Sequence, residues 1–256
     1  MEKIDFNDID TKKKQEKLRE MMVKTVSQLV KLENSNPVLD SCPICLSGKI
    51  KFFVNAYQFD MSSCIDCGLL FCNPYPTQEQ IHGYYNSEMK SFENEFFRDS
   101  FEKRINIFLP RIELVKKYKA SGKLLDVGSA IGIFIEALHR AKAPFDLACC
   151  DISEEACKEL GERYPDLKVF HKDYLELDVG TQFDVITLWD TLEHIVDSKS
   201  LLQKTYQLLK DDGIFVFSTP NTDSFEWICA KEKHVQILPP GHVNLMNWKC
   251  IDILLK

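Results

Sequence analysis

The chain has 256 residues, 45% hydrophobic and 28% charged, with a formal net charge of −7. That is ordinary globular composition, enough for one large domain or one domain plus a small module, and its acidic balance disfavours general nucleic-acid binding. No apolar run approaches the roughly 20 residues needed to cross a bilayer, and the charged start Met1-Glu2-Lys3-Ile4-Asp5 lacks the apolar region of a signal peptide.

The ten cysteines, in a chain read as carrying no export signal, imply a reducing compartment, where thiols bind metal, catalyse or fill core space. The cytoplasm is the expected location.

Residues 1–11 read as frayed. Residues 12–33 read as a helix whose apolar stripe, Leu18, Met21, Met22, Val26, Leu29 and Val30, steps by three and four. Packing against the next module explains the stripe better than a dimerising coiled coil, because three full heptads are not sustained. Asn34-Ser35-Asn36-Pro37 ends the helix. Thr77 and Gln80 have capping-box spacing at the head of an aromatic-rich helical stretch. Pro110 is expected to break or restart that helix, with 111–119 helical again. The expected organisation is therefore a helical segment over 1–40, a cysteine-bearing module over 41–76, a helical connector over 77–119 and a nucleotide domain over 120–256.

Cys42-Pro43-Ile44-Cys45 and Cys64-Ile65-Asp66-Cys67 are two C-x-x-C pairs, and such pairs can set four thiolates tetrahedrally around one zinc ion. Gly48 and Gly68 follow the pairs and would permit the positive φ that turns backbone amides toward sulfur. The stretch 49–61 alternates enough for a hairpin. Four thiolates saturate zinc, so the site would be structural, supplying folding energy to a module too small to have much core. Cys72 would be a spare ligand or, better, a small buried residue.

From residue 122 the rhythm becomes strand and helix in alternation. Strands are expected at 123–127, 145–150, 168–171, 183–188 and 214–218, and helices at 131–141, from Ser153 onward and at 198–209. Near-continuous apolar strands separated by helices indicate an α/β fold with a Rossmann-like, doubly wound, mostly parallel sheet. Leu125-Asp126-Val127-Gly128-Ser129-Ala130-Ile131-Gly132 ends a strand and opens a helix whose free amides can meet an anion. Alone, this turn could serve NAD, FAD, S-adenosylmethionine or no ligand. Asp151 then closes the second strand, where a carboxylate can accept ribose hydroxyls; Asp173 follows the third and Trp189-Asp190 the fourth, all at carboxyl ends of parallel strands.

Together the runs 124–134, Asp151-Ile152-Ser153, Asp173, 183–195 and 212–220 resemble the class I S-adenosylmethionine-dependent methyltransferases. The segment Trp189-Asp190-Thr191-Leu192-Glu193-His194-Ile195 is similar to the motif of the subgroup that includes the ubiquinone-biosynthesis O-methyltransferases, and the cysteine pairs resemble zinc-ribbon methyltransferases acting on sugars and other small metabolites. The resemblance implies that Gly128, Ala130 and Gly132, with Asp126, cradle the methionine portion of S-adenosylmethionine. Ala130 stands where a middle glycine is common. Asp151, with Ile152 beside it, would hold the ribose, Asp173 with Tyr174 the adenine, and Trp189 and Asp190 would line the methionine end. It also implies a sixth and seventh strand beyond residue 256.

Methyl transfer needs a nucleophile held in line with the methyl group, and a hydroxyl or carbon acid needs a base. Glu193, His194, His234 and His242 are candidates, with His242 preferred. The expected reaction is O- or C-methylation of a small-molecule acceptor; the absence of an Asn-Pro-Pro-Tyr-like motif after the fourth strand argues against amino methylation of bases. Other readings are a non-catalytic cofactor-binding or interaction module, an RNA methyltransferase and an NAD-dependent oxidoreductase. The acceptor and the oligomeric state stay open.

Overall fold

The computed structural model describes residues 11–256; the frayed start read from the sequence lies, but for Thr11, outside them. The chain forms two compact units, each assembled from separate stretches. One contains Glu93–Thr191 and Ser200–Ser218, the other Glu16–Phe92, Leu192–Lys199 and Thr219–Lys256.

The first unit is built on five strands: β4 (Gly122–Val127), β5 (Phe145–Asp151), β6 (Lys168–His171), β7 (Phe183–Trp189) and β8 (Leu209–Ser218). They lie in the order β6-β5-β4-β7-β8, all parallel. The order reverses between β4 and β7, and such a switch point opens a crevice at the strands' carboxyl ends. Helices α4 (Phe101–Tyr118) and α5 (Ile133–Arg140) bury Ile105, Ile112, Val115, Phe134 and Leu138 with Leu124 and Val185 of the sheet. Helix α6 (Glu154–Arg163), capped by the Ser153 hydroxyl as expected, sets Leu160 against Cys149. Strand β8 starts five residues before the expected 214: Phe183 faces Leu209 and Val185 faces Ile214, so Asp211-Asp212-Gly213 bulges out instead of preceding the strand. It lies at one edge of this sheet, with Ile214 to Phe217 half-buried.

Helix α4 runs unbroken through Pro110, correcting the expected break. The missing N–H and ring clash cost about 3 kcal/mol, but burying Ile105, Ile112 and Val115 stabilises the continuous helix by about 1.5–3 kcal/mol per side chain.

The second unit carries α1 (Lys12–Leu29, from Glu16 onward), the hairpin β1 (Ile50–Ala56) and β2 (Phe59–Cys64), β3 (Leu70–Cys72), and α2 (Gln78–Tyr85), which leads into α3 (Glu88–Asp99). Near the C-terminus follow α8 (Phe225–Ala230), β9 (Asn244–Leu245) and α9 (Trp248–Leu254), while α7 (Ser198–Leu208) begins in this unit and runs on into the first. Its sheet is antiparallel in the order β1-β2-β3-β9. Residues 244–245, expected inside the nucleotide domain, thus complete the sheet of the cysteine module, because fully buried β3 needs a partner on its second edge. Helix α1 ends at Leu29 rather than 33. Gln80 closes the capping box with Thr77 and also donates to the carbonyls of Leu29 and Leu32, satisfying that helix end. Met22, Val26 and Leu29 pack on Phe59, Tyr84 and Met89.

Candidate functional site

The turn after β4 is held in left-handed backbone at Gly128 (φ 71°), Ala130 (φ 45°) and Gly132 (φ 77°). Cys150 of β5 accepts from the Gly128 and Ser129 amides at 2.9 and 3.4 Å, lashing the turn to the next strand. Ala130 is the costly member: an L side chain in this region loses roughly 1–2 kcal/mol, which is why glycine is common there. Its amide donates to Asp151 Oδ2 and the Ser153 amide to Oδ1, both at 2.8 Å, so the carboxylate is fixed at the loop. Ile152 is exposed beside it. Asp173 caps a short 3-10 turn, accepting from Leu175 N at 2.8 Å. Tyr174 does not join it at the surface: it is buried and its hydroxyl bonds Thr205, because the turn rotates it into the core.

Trp189, at the end of β7, lies edge-on to Phe134 with centroids 5.1 Å apart. Asp190 is tied to Ser218, whose hydroxyl donates to Oδ1 at 2.7 Å. Sequence reasoning missed Arg111. Its guanidinium lies over Phe108 and Trp189, 4.6 and 4.8 Å from their centroids, and 3.6 Å from Asp190 Oδ2. Among the described residues three buried side-chain polar atoms lack a hydrogen-bond partner: Arg111 Nη1, Trp189 Nε1 and Ser129 Oγ. All three belong to this strand-end cluster. Each would cost about 1–3 kcal/mol left unmet, so the place can take a polar ligand. Asp126, one strand residue before Val127, is 2% exposed and accepts from Thr187 Oγ1 at 2.7 Å. Burial pushes its carboxyl up to about 7 against that hydrogen bond, and the nearby Asp151 charge pushes the same way as burial.

The four cysteines converge. Cys42 and Cys67 Sγ are 3.6 Å apart, Cys45 and Cys64 Sγ 3.5 Å, and all four lie within 4.8 Å of one another. With Zn–S near 2.3 Å a tetrahedral edge is about 3.8 Å, so the donor set fits zinc. Gly68 takes positive φ (82°) as expected, but in the first knuckle Leu46 (φ 61°) does so, not Gly48. The reason is register: the tight turns are closed by the Leu46 and Gly68 amides onto Cys42 O and Cys64 O, and Gly48 lies two residues past its turn. Cys72 is a buried core residue outside the cluster.

Glu193, His194 and His242 also come together, their ligand atoms within 4.8 Å. His194 and His242 rings meet edge-on at 4.8 Å, and Tyr85, unmarked by the sequence reading, approaches His194 at 6.1 Å. His194 Nδ1 is 2.7 Å from Gly241 O and His242 Nδ1 2.8 Å from Gln236 O. A carbonyl only accepts, so both Nδ1 atoms carry hydrogen and the neutral rings hold their lone pair on Nε2. Glu193, 2% exposed, accepts from Thr219 Oγ1 at 3.0 Å. The set can serve as a base or hold a divalent cation. His234 stands apart, tilted against Trp227 with centroids 4.2 Å apart, its pKa lowered by burial.

Comparison with known proteins identifies the family. The methyltransferase domain family matches residues 99–252. The ubiquinone biosynthesis O-methyltransferase of Actinobacillus pleuropneumoniae serotype 5b is 30% identical over 174 residues, covering 57% of this chain and 73% of that enzyme. The mitochondrial ubiquinone biosynthesis O-methyltransferase of Saccharomyces cerevisiae is 28% identical over 168 residues, covering 62% of this chain and 53% of that enzyme. The chain therefore spans between about half and three-quarters of these relatives. Among solved structures, the plantazolicin methyltransferase BpumL in complex with SAH has a TM-score of 0.48 at 19% identity, covering 56% of this chain and 58% of that one. The family match spans more than half of the chain, and the chain belongs to the methyltransferase-domain family of S-adenosylmethionine-dependent methyltransferases.

Proposed function

We propose that the chain methylates an oxygen or carbon nucleophile of a small-molecule acceptor, with a base drawn from Glu193, His194 and His242. The observation that carries this reading is the convergence of those three side chains. The relatives' names as O-methyltransferases point the same way.

On the donor side, Asp151 would accept the ribose hydroxyls and Asp173 the adenine amine. The amides from Gly128 to Gly132 and the unmet nitrogen of Arg111 would take the methionine carboxylate. Trp189 and Asp190 would line that end. S-adenosylmethionine, when bound, supplies an electrophilic methyl group on a sulfonium. Arg111→Ala should raise its Kd at least tenfold by calorimetry without lowering Tm; an unchanged Kd would remove Arg111 from the site.

On the acceptor side, His242 Nε2 would take the nucleophile's proton, and the Gln236 carbonyl on Nδ1–H would stabilise the imidazolium. The four cysteines would hold one structural zinc ion. Among the described residues no helix is long and apolar enough to cross a membrane, and the cysteine-rich composition fits a reducing, cytoplasmic setting.

His242→Ala should cut turnover by roughly 10²–10⁴-fold while leaving the S-adenosylmethionine Kd within twofold. Unchanged turnover would end the assignment. A second reading has Glu193, His194 and His242 holding a divalent cation that acidifies an acceptor hydroxyl. Activity lost on dialysis and restored by Mn²⁺ or Mg²⁺, at constant zinc content, selects the cation; activity indifferent to both selects the base.

A further inference from the structure

Three stretches of the second unit meet at the side chain of Asn244, which is 2% exposed. Its carboxamide nitrogen donates to Ile195 O at 2.8 Å and to Val196 O at 3.3 Å. Its oxygen accepts from the Tyr75 hydroxyl at 2.6 Å. Both ends of the amide are engaged, as a buried amide requires. Its partners also fix which way it points. A backbone carbonyl only accepts, so the nitrogen faces residues 195 and 196 and the oxygen faces the phenol. Burial pushes the Tyr75 hydroxyl well above the ordinary phenol range, against its bond to Asn244, so it stays protonated and donates.

The stretches that meet here carry the acceptor-side cluster and the cysteine module. Ile195 directly follows Glu193 and His194, Asn244 lies two residues after His242, and Tyr75 follows β3. Backbone bonds join the same segments. Val243 N donates to Glu193 O at 2.8 Å, Val243 O accepts from Cys72 N at 2.9 Å, and Phe71 faces Asn244 in the β3–β9 pair. A single amide–carbonyl bond between two segments lets them pivot about it. The Asn244 amide adds further points of attachment, so the turn at 193–196 and the return at 242–244 hold one register. His194 depends on that register, because its Nδ1 lies 2.7 Å from Gly241 O, one residue before His242.

We infer that Asn244, held by Tyr75, is the positioning residue that sets His194 and His242 in the spacing and tautomer the base needs. This rests on the reading of Glu193, His194 and His242 as the source of that base. The cysteine module is thereby an arm of the acceptor site as well as a folding unit, since β3 and Tyr75 brace the clamp. A leucine at 244 fills the volume but offers nothing to the two carbonyls or to the phenol.

The test reads the ring nitrogens directly and needs no methyl acceptor. The zinc-loaded full chain, 15N-labelled at its six histidines, is observed by NMR at about pH 8.5, where neutral imidazole dominates. His194→Gln and His242→Gln assign the two signals. In the wild type both rings should show the Nδ1–H tautomer. In Asn244→Leu the ratio of Nδ1–H to Nε2–H at His194 should fall roughly tenfold, about the worth of one hydrogen bond. Tyr75→Phe keeps the amide and removes its anchor; a fall of roughly threefold is expected, and this variant decides the matter should Asn244→Leu fail to fold. Met61→Val, a core change in the same unit, should lower Tm and leave both tautomers in place, which separates positioning from stability. Folded Asn244 and Tyr75 variants that keep the wild-type tautomers overturn the proposal alone. A wild-type chain in which either ring lacks the Nδ1–H tautomer overturns the geometry of the base and this proposal with it.

Discussion

Gly128→Ala should weaken S-adenosylmethionine binding by at least thirtyfold, about 2 kcal/mol or more at tenfold per 1.4 kcal/mol. Two independent costs add up. A side chain at φ 71° is in the left-handed region, at roughly 1–2 kcal/mol. The new Cβ would also lie 2.7 Å from Thr191 Oγ1 and 2.9 Å from its Cγ2, closer than real contacts allow. Thr191 cannot yield freely, because its hydroxyl donates to Trp189 O at 3.0 Å. Relief of the clash therefore moves the end of β7, which carries Trp189 and Asp190. The matched control is Gly161→Ala in α6, where nothing lies within 4 Å of the added carbon. It should stabilise the protein by about 0.5–1 kcal/mol and leave binding alone. A Gly128→Ala protein whose calorimetric Kd stays within threefold of wild type would show that the turn does not contact the donor.

The contrast between those two glycines explains what could be read in the sequence. Buried parallel strands announce themselves locally: β6 spans the expected 168–171, and β5 and β7 each run one residue past expectation. The signal is a run of apolar residues bounded by turns, and it needs no partner to be recognised. The cysteine cluster was legible for a similar reason, since its spacing encodes its chemistry. Arg111 was not. It works through Phe108 and Trp189, one residue on its own helix and the other 78 positions away, and the expected break at Pro110 hid the helix that presents it. The pairing of β3 with the two-residue β9 left no trace either, because so short a strand has no periodicity. Glu193, His194 and His242 were each identifiable as chemistry-bearing residues, but their convergence depends on the chain returning through 236–243. Two backbone carbonyls on that return, Gln236 and Gly241, orient the rings. Backbone acceptors carry no residue-type signal. Tyr174 failed for the opposite reason: its neighbour Asp173 is exposed, but one step round a tight turn points the ring inward.

With the four cysteines holding zinc as proposed, its removal should unfold the antiparallel sheet of the second unit. The hairpin β1–β2 is half-exposed on its outer strand, with Phe52 63% exposed, and cannot be held by its own apolar contacts. The two cysteine knuckles lie at one end of this hairpin, where Ile50 pairs with Cys64. Without a cation, the thiol of Cys42 is pushed up by hydrogen bonding to Cys67 and by burial, so four neutral sulfurs crowd one another without bonding strongly. A bound zinc ion would turn that crowd into four metal–sulfur bonds, with apparent binding free energies of about 10–16 kcal/mol in small domains. This matches or exceeds the roughly 5–15 kcal/mol that stabilises a whole protein. Metal analysis of the purified chain should give one zinc per molecule. A strong chelator, or Cys64→Ser, should then abolish the cooperative melting of this unit, expose Met61, Leu70 and Leu245 from its core, and cause aggregation that added zinc reverses only in the wild-type chain. The Cys72→Ser protein, altered outside the cluster, should keep its zinc and lose stability only through packing. A zinc-free chain with an unchanged melting curve would mean that the cysteines are core residues placed together by the fold rather than ligands that create it.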